Sequence, residues 1–315
     1  MRDGFGRVIN YLRLSVTQGC NLRCRYCMPE SGGHPLPAGG LLPAAEMLTA
    51  VRAAASLGVR KVRVTGGEPL TRGDILPLCR AVSAVPGVEE LCLTTNGVLL
   101  PALARPLRDA GVRRVNVSLD TLDADKYAAM TRGGRLDDAI AGLRAALDAG
   151  FDRVKVNCVL IGGWNDGEIP ALAELALRYP VDVRFIELMP MGCGGFGAEA
   201  YLSCEEVLRR LPQFKPEGAE GVARLYRAPD AQGRVGLIRP LSDHFCGRCS
   251  RLRLTADGKI LPCLHMPQGV DIRGLDFDGM RAAFIKAVAL KPEKHGPLAA
   301  ECPSGAEKDM NEIGG

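Results

Sequence analysis

Six short β-rich runs alternate with helical patterns along the first two thirds of the chain. Tyr11 to Val16, Lys61 to Thr65, Glu89 to Thr94, Arg113 to Ser118, Arg153 to Leu160 and Val181 to Leu188 read as strands. Between them, Pro43 to Leu57, Asp74 to Val85, Pro101 to Ala110, Leu136 to Ala149 and Glu168 to Arg178 carry apolar residues at helical spacing, several ending in glycine, as at Gly58, Gly111 and Gly150. Repeated strand-helix units joined by right-handed crossovers give a doubly wound sheet or a barrel, and in both the ligand sits at the carboxyl ends of the strands. Six units fall short of the usual eight, so the α/β pattern predicts a partial, splayed (β/α)6 barrel. After about Gly195 the pattern changes. Ser203 to Leu211 reads as one more helix, Val222 to Arg227 and Val235 to Arg239 as a hairpin across Asp230 to Gly233, and Leu252 to Thr255 with Lys259 to Leu261 as another across Asp257-Gly258. Phe277 to Leu290 is a final helix, followed by a Pro-, Gly- and charge-rich tail with little expected structure of its own. The expected division is a barrel over 1–215 and a hairpin-rich region over 216–315.

Composition narrows the class. At 315 residues and 47% hydrophobic, the chain can bury a sizeable core. Its 40 basic and 36 acidic residues give a net charge of +4, too mild for the basic stripe of a nucleic-acid binder but compatible with a local site for one polyanion. No apolar run approaches bilayer length, and Met1 to Asn10 lacks the apolar core of a secretory signal, so a cytoplasmic location without membrane partners is expected. Twelve cysteines in the reducing cytosol are unlike disulfides, and clustered ones are better read as metal ligands. Cys79, Cys92, Cys158, Cys193, Cys204 and Cys302 are scattered and read as ordinary small, mostly buried side chains.

The other six cysteines form two triads. Cys20, Cys24 and Cys27 fall within eight residues, and Cys246, Cys249 and Cys263 are separated by two and thirteen residues. A 4Fe-4S cluster held by three cysteines leaves one iron open to a small molecule, whereas four would close it for electron transfer. Zinc remains the alternative at each triad, and at the second His265 could complete the set.

Basic residues interrupt otherwise apolar strands. Arg13, Arg63, Lys155, Arg184, Arg251 and Arg253 each alternate with hydrophobes, which places them on one face of their strands, the lumen of a barrel. A single strand arginine is usually a satisfied ion pair; five strands sharing the feature indicate an anionic ligand, and guanidinium forks suit a polyphosphate. Thr65-Gly66-Gly67-Glu68-Pro69 ends the second strand with bare backbone where a ligand would approach, and Glu68 could accept from an ammonium group.

Cys20-x3-Cys24-x2-Cys27 with Tyr26, followed by Gly66-Gly67-Glu68-Pro69, resembles the radical S-adenosylmethionine superfamily. The second triad and the terminal Met310-Asn-Glu-Ile-Gly-Gly315 narrow the resemblance to its GTP-cyclising family, which opens molybdenum cofactor biosynthesis. Further matches run the length of the chain, among them Phe5-Gly-Arg7, Thr94-Thr-Asn-Gly97, Val117-Ser-Leu-Asp120 and Phe185-Ile-Glu-Leu-Met189; Gln18-Gly19 departs from the family's usual charged pair, a change expected to be harmless. The resemblance implies a partial barrel with an auxiliary-cluster region, two 4Fe-4S clusters and S-adenosylmethionine. It places Cys20, Cys24 and Cys27 on the first cluster and Tyr26, Gly67, Ser118 and Met189 against S-adenosylmethionine. It assigns Arg13, Arg63, Thr94, Lys155, Arg251, Leu252 and Arg253 to GTP, and Cys246, Cys249 and Cys263 to a second cluster whose free iron receives the guanine. Arg253, Gly314 and Gly315 would take part in catalysis, with the Gly-Gly tail threading into the lumen. The implied reaction removes hydrogen from ribose C3′ through a deoxyadenosyl radical and joins that carbon to guanine C8, giving 3′,8-cyclo-7,8-dihydro-GTP. Implied partners are a flavodoxin- or ferredoxin-type electron donor and a downstream cyclic pyranopterin monophosphate synthase, with the chain a monomer or homodimer. Two alternatives compete. A peptide-modifying enzyme of the superfamily would more often carry extra C-terminal cysteines and has no need of lumen arginines; an electron carrier would have closed clusters.

Overall fold

The computed structural model describes residues 1–31, 39–191, 196–296, 298, 304–305 and 308–314. Strand-helix units run in order through β1 (Tyr11–Ser15), α1 (Ala44–Ser56), β2 (Lys61–Thr65), α2 (Ile75–Ser83), β3 (Glu90–Thr95), α3 (Leu100–Asp109), β4 (Val112–Ser118), α4 (Ala124–Thr131), α5 (Leu136–Asp148), β5 (Arg153–Leu160), α6 (Ile169–Arg178), β6 (Val181–Glu187) and α7 (Glu205–Arg210). They continue as β7 (Lys215–Glu220), β8 (Ala223–Arg227), β9 (Arg234–Ile238), β10 (Arg251–Leu254), β11 (Lys259–Leu261), β12 (Val270–Asp271), α8 (Phe277–Ala289) and α9 (Met310–Ile313).

The helices bury single stripes against the sheet. In α2 the buried positions are Ile75, Leu78, Cys79 and Val82, the spacing of one helical face. Each such fully buried side chain contributes about 1.5–3 kcal/mol. The helix-ending Gly58, Gly111 and Gly150 all take positive φ, as their positions predict.

All strands form one open sheet in the order β12-β11-β10-β1-β2-β3-β4-β5-β6-β9-β8-β7. The six expected strands lie together and parallel at its centre. Both C-terminal hairpins form as expected, and each lends one strand to an edge of that sheet: β10 runs parallel to β1 and β9 parallel to β6. The parallel part therefore reaches the eight strands of a full barrel without closing, and no break in the sheet falls near residue 215.

Four elements were not expected, the first being the two-residue β12 beside β11. β7 is an exposed edge strand with a register shift between Pro216 and Gly218, and α4 is a short helix capped by the Asp123 carboxylate. The tail, expected to lack structure, contains α9, closed by a reciprocal Asp309–Glu312 capping box, with Asn311, Glu312 and Ile313 buried. Among the described residues no helix is long and apolar enough to cross a membrane.

Candidate active site

A cavity of about 490 Å³ occupies the concave side of the sheet. Strand direction fixes what lies at its two ends. Cys20, Cys24 and Cys27 follow the carboxyl end of β1, whereas Cys246 and Cys249 precede the amino end of β10, which is parallel to β1 in the register Tyr11↔Arg251. β11 runs back along β10, so Cys263 returns to the same end as Cys249. All six sulfurs' residues line the cavity, and the five residues of β1 separate the ends by about 16 Å at strand rise.

The first triad sits in a loop held from three sides. Arg23 and Arg25 donate backbone N–H bonds to Thr131 and Met130 at the end of α4, and Arg132, held in the left-handed region at φ 55°, donates to the carbonyls of Arg23 and Met28. Just past the end of β3, Asn96 Nδ2 donates to Asn21 Oδ1 at 2.8 Å. Gly67 packs so closely beneath this loop that a Cβ there would strike the Gly19 carbonyl and come within 2.5 Å of that of Gln18. Glu68 is not free for an ammonium group: its oxygens accept from Leu70 N, Thr95 Oγ1 and Asn96 N, tying the glycine turn to β3, and burial pushes its carboxyl up to about 7. Tyr26 donates to Asp120 at 2.8 Å, whose other oxygen accepts from Val159 N; burial raises Asp120 to about 6. Burial also lifts the Cys20 thiol to about 11, and burial with Cys27 and Asp120 nearby lifts Cys24 well above its usual range.

The second triad is clamped by cations. Buried Arg7, ion-paired to Asp3 at 2.5 Å, donates to the carbonyls of Cys246, Pro292 and Glu293, which gives the opening Phe5-Gly-Arg7 a structural role. Lys291 donates to the carbonyls of Arg251 and Pro262, joining the two limbs that carry Cys249 and Cys263. For Cys249, burial pushes the thiol up, but Arg251 and Lys291 outweigh it and bring it down to about 7. Among the described residues no three His, Cys, Asp or Glu side chains gather around a single ion point. Zinc needs its sulfurs within about 4 Å of each other, each bond being about 2.3 Å, whereas a four-iron cluster is itself several ångströms across. Two sets of three cysteines facing one cavity therefore fit the larger group better than a lone ion.

Between the ends, Arg13, Arg63, Lys155, Arg184, Arg251 and Arg253 all line the cavity, as their alternation predicts. Arg63 donates to Tyr11 Oη at 2.6 Å and Thr94 Oγ1 at 3.3 Å; burial and Arg184 draw Lys155 down to about 7 although Glu220 accepts from it at 2.8 Å. The tail reaches this centre: the Gly314 carbonyl accepts from Arg253 Nη1 at 2.5 Å and Arg13 Nη2 at 3.4 Å. Gly314 takes φ +81°, and a Cβ there would stand 2.6 Å from Thr65 Cγ2. Gln18, expected to be an indifferent loop change, is buried and accepts from Asn311 of α9 through its carbonyl.

Tyr26, Gly67, Thr94, Ser118 and Met189 line the cavity as well. Leu252 differs from its neighbours: its side chain is fully buried in the core, so a contact with the nucleotide would be made through its backbone. Gly315, Cys193 and Cys302 lie outside the described residues, while Cys79, Cys92, Cys158 and Cys204 are buried as expected. The sequence reading missed Asp120, Tyr11, Lys291 and Glu220; Asp120 falls inside a motif already quoted and Tyr11 opens a strand already read, but Glu220 carries no sequence signal.

The chain matches the Radical SAM superfamily over residues 14–176 and the family Molybdenum Cofactor Synthesis C over residues 181–297. A solved structure of SuiB from Streptococcus suis shares the fold with a TM-score of 0.64 at 18% identity, over 87% of this chain and 66% of that one. Sheet, glycine turn and first triad thus define a radical S-adenosylmethionine protein. GTP 3′,8-cyclase of Pelotomaculum thermopropionicum is 47% identical, and that of Alkaliphilus metalliredigens 44%, each over 100% of both chains. The chain belongs to the GTP 3′,8-cyclase family.

Proposed function

We propose that this protein converts GTP to 3′,8-cyclo-7,8-dihydro-GTP, the first step of molybdenum cofactor biosynthesis, using S-adenosylmethionine and two 4Fe-4S clusters. The observation that carries the reading is the placement of two three-cysteine sites at opposite ends of one cation-lined cavity. Cys20, Cys24 and Cys27 hold the cluster that binds S-adenosylmethionine, and Cys246, Cys249 and Cys263 hold the one that faces the nucleotide. Clusters and S-adenosylmethionine, when bound, supply the one-electron chemistry that makes the substrate radical.

The residues do the rest. Tyr26, fixed by Asp120, with Gly67, Ser118 and Met189, shapes the S-adenosylmethionine side of the cavity. Arg13, Arg63, Thr94, Lys155, Arg251 and Arg253 hold the nucleotide, Lys155 and the arginines by charge and Thr94 through a hydroxyl already oriented by Arg63. Gly314 sits between Arg13 and Arg253 with its carbonyl inward, which directs both guanidinium groups and fills space that water would otherwise take. A flavodoxin or ferredoxin type of electron donor, a cytoplasmic setting, a downstream cyclic pyranopterin monophosphate synthase and a monomeric or homodimeric state complete the proposal.

The test is an anaerobic assay of the reconstituted chain with a reductant and S-adenosylmethionine. Deoxyadenosine formation is expected to rise on adding GTP and to be matched by cyclised nucleotide. Equal deoxyadenosine with and without GTP, and no cyclised product, would exclude the reading.

A further inference from the structure

Glu220 belongs to the outermost strand of the sheet, yet its carboxylate reaches four other strands. Oε1 accepts from Lys155 of β5 at 2.8 Å and Arg114 of β4 at 2.7 Å, and Oε2 stands 3.3 Å from both Arg184 of β6 and Arg234 of β9. The β7–β8 turn makes this possible: Gly221 takes φ +61° immediately after Glu220, and both residues line the cavity. Held by Lys155, Arg184 and Arg114 against the opposing effect of burial, the Glu220 carboxyl is lowered to about 2 and is ionised at neutral pH.

The four cations differ in what they keep without it. Arg114 also pairs with Glu90, and Arg234 with Asp182. Among the described residues, Lys155 and Arg184 form no other salt bridge, and Arg184 Nε is buried without a hydrogen-bond partner. The other carboxylates on the cavity wall are engaged elsewhere. Asp120 holds Tyr26 and Val159 N, and Glu187 accepts from Ser242 and from the backbone of Cys204 and Leu241.

We infer that Glu220 is an internal stand-in for phosphate: in the nucleotide-free protein it neutralises Lys155 and Arg184, and a polyphosphate must replace it there to bind. The inference rests on the proposed function only in taking GTP as that polyphosphate. Two buried cations left without a counter-ion are costly, so the resident carboxylate keeps the cavity wall ordered when no ligand is present. It also sets a threshold. A nucleoside or a singly charged anion gains too little to displace it, while a triphosphate brings several charges to the same two cations.

The experiment is calorimetric titration of the anaerobically reconstituted chain, as wild type and as Glu220→Gln, with inorganic tripolyphosphate, GTP and guanosine. Glu220→Gln keeps the shape and removes the competing charge. It should bind tripolyphosphate and GTP about tenfold tighter, a modest effect for a close charge pair, with guanosine unchanged. Tripolyphosphate binding that stays equal or weakens overturns the inference, as does a guanosine affinity that moves in step with GTP. Should Glu220→Gln fail to fold, Glu220→Asp serves instead: it withdraws the carboxylate by one methylene and should tighten tripolyphosphate two- to threefold, whereas no gain has the same negative meaning. Wild-type protein that binds tripolyphosphate but treats GTP no better than that ion would sink the cyclase reading and leave Glu220's role standing.

Discussion

The two ends of the cavity present the same three-cysteine arrangement in opposite electrostatic settings. At the first, Cys20 and Cys24 are lifted by burial, and the acidic neighbours Glu68 and Asp120 raise Cys20 and Cys24 respectively further. At the second, Arg251 and Lys291 stand against Cys249 and favour its thiolate, and Arg7 clamps the adjoining loop. A low-dielectric, acid-flanked site suits a group that carries its own positive charge, such as the sulfonium and ammonium of S-adenosylmethionine. A cation-rich site suits the polyanionic nucleotide. The proposed division of labour between the two triads thus finds its support in their neighbours rather than in the cysteines themselves.

The largest effect that could break this comparison is loss of one end at a time. Cys24→Ser should lower deoxyadenosine formation roughly thousandfold whether or not GTP is present. Cys249→Ser should retain S-adenosylmethionine cleavage while losing cyclised product to a similar degree. Each variant should lose about half the iron of the reconstituted chain. If both lose cleavage equally, the ends do not have separate tasks.

What separates the ends was only partly legible in the sequence. The triads, the lumen cations and the six central strands could be read because short-range spacing and period-two alternation encode them. Glu220 could not, because Lys215-Pro-Glu-Gly-Ala-Glu-Gly221 has the composition of a turn, and its strand is a bulged edge held by β8 rather than by its own apolar pattern. The α9 turn was invisible for a similar reason: four residues are too few to show a helical period, and its stability comes from the Asp309–Glu312 box and from burial of Ile313 against Met191 and Leu261. Leu252 shows the limit of reading by alternation, which places its side chain in the core and says nothing of what its backbone can bind.

The tail sits between the two ends, and Gly314→Ala tests whether its carbonyl must lie there. The added methyl would meet Thr65 Cγ2 at 2.6 Å in a backbone conformation that alanine resists, costing on the order of 1–2 kcal/mol at that turn. The tail should be expelled, with kcat for GTP falling by about a hundredfold while S-adenosylmethionine cleavage continues. A variant with wild-type turnover would show that Arg13 and Arg253 need no help from Gly314.

A smaller effect concerns pH. Lys155 titrates near 7 in the nucleotide-free chain, and a bound phosphate raises that value, so binding takes up a proton above pH 7. GTP affinity should therefore be flat just below pH 7 and weaken by up to about tenfold per unit above it, until the value reached in the complex is passed. Lys155→Arg, which stays charged, should remove this slope. A slope that survives the substitution would assign the proton to another group.

The smallest contrast is in the thiols themselves. In the cluster-free chain at pH 8, Cys249, lowered to about 7, is mostly thiolate, while Cys20, raised to about 11, is about one part in a thousand ionised. The weaker acid is the better nucleophile once ionised, by about 40- to 100-fold over this interval at a Brønsted slope of about 0.4–0.5. Iodoacetamide should accordingly modify Cys249 only about ten- to twentyfold faster than Cys20 at pH 8. The advantage should shrink as pH rises, vanish at about pH 9 to 9.5, and give way to a Cys20 advantage of about 20- to 50-fold by pH 11, where about half of Cys20 is thiolate. Mass mapping of the alkylated chain at several pH values measures this directly. Equal rates at pH 8 would mean that Arg251 and Lys291 do not set the charge at the second end, and that the two triads differ in position alone.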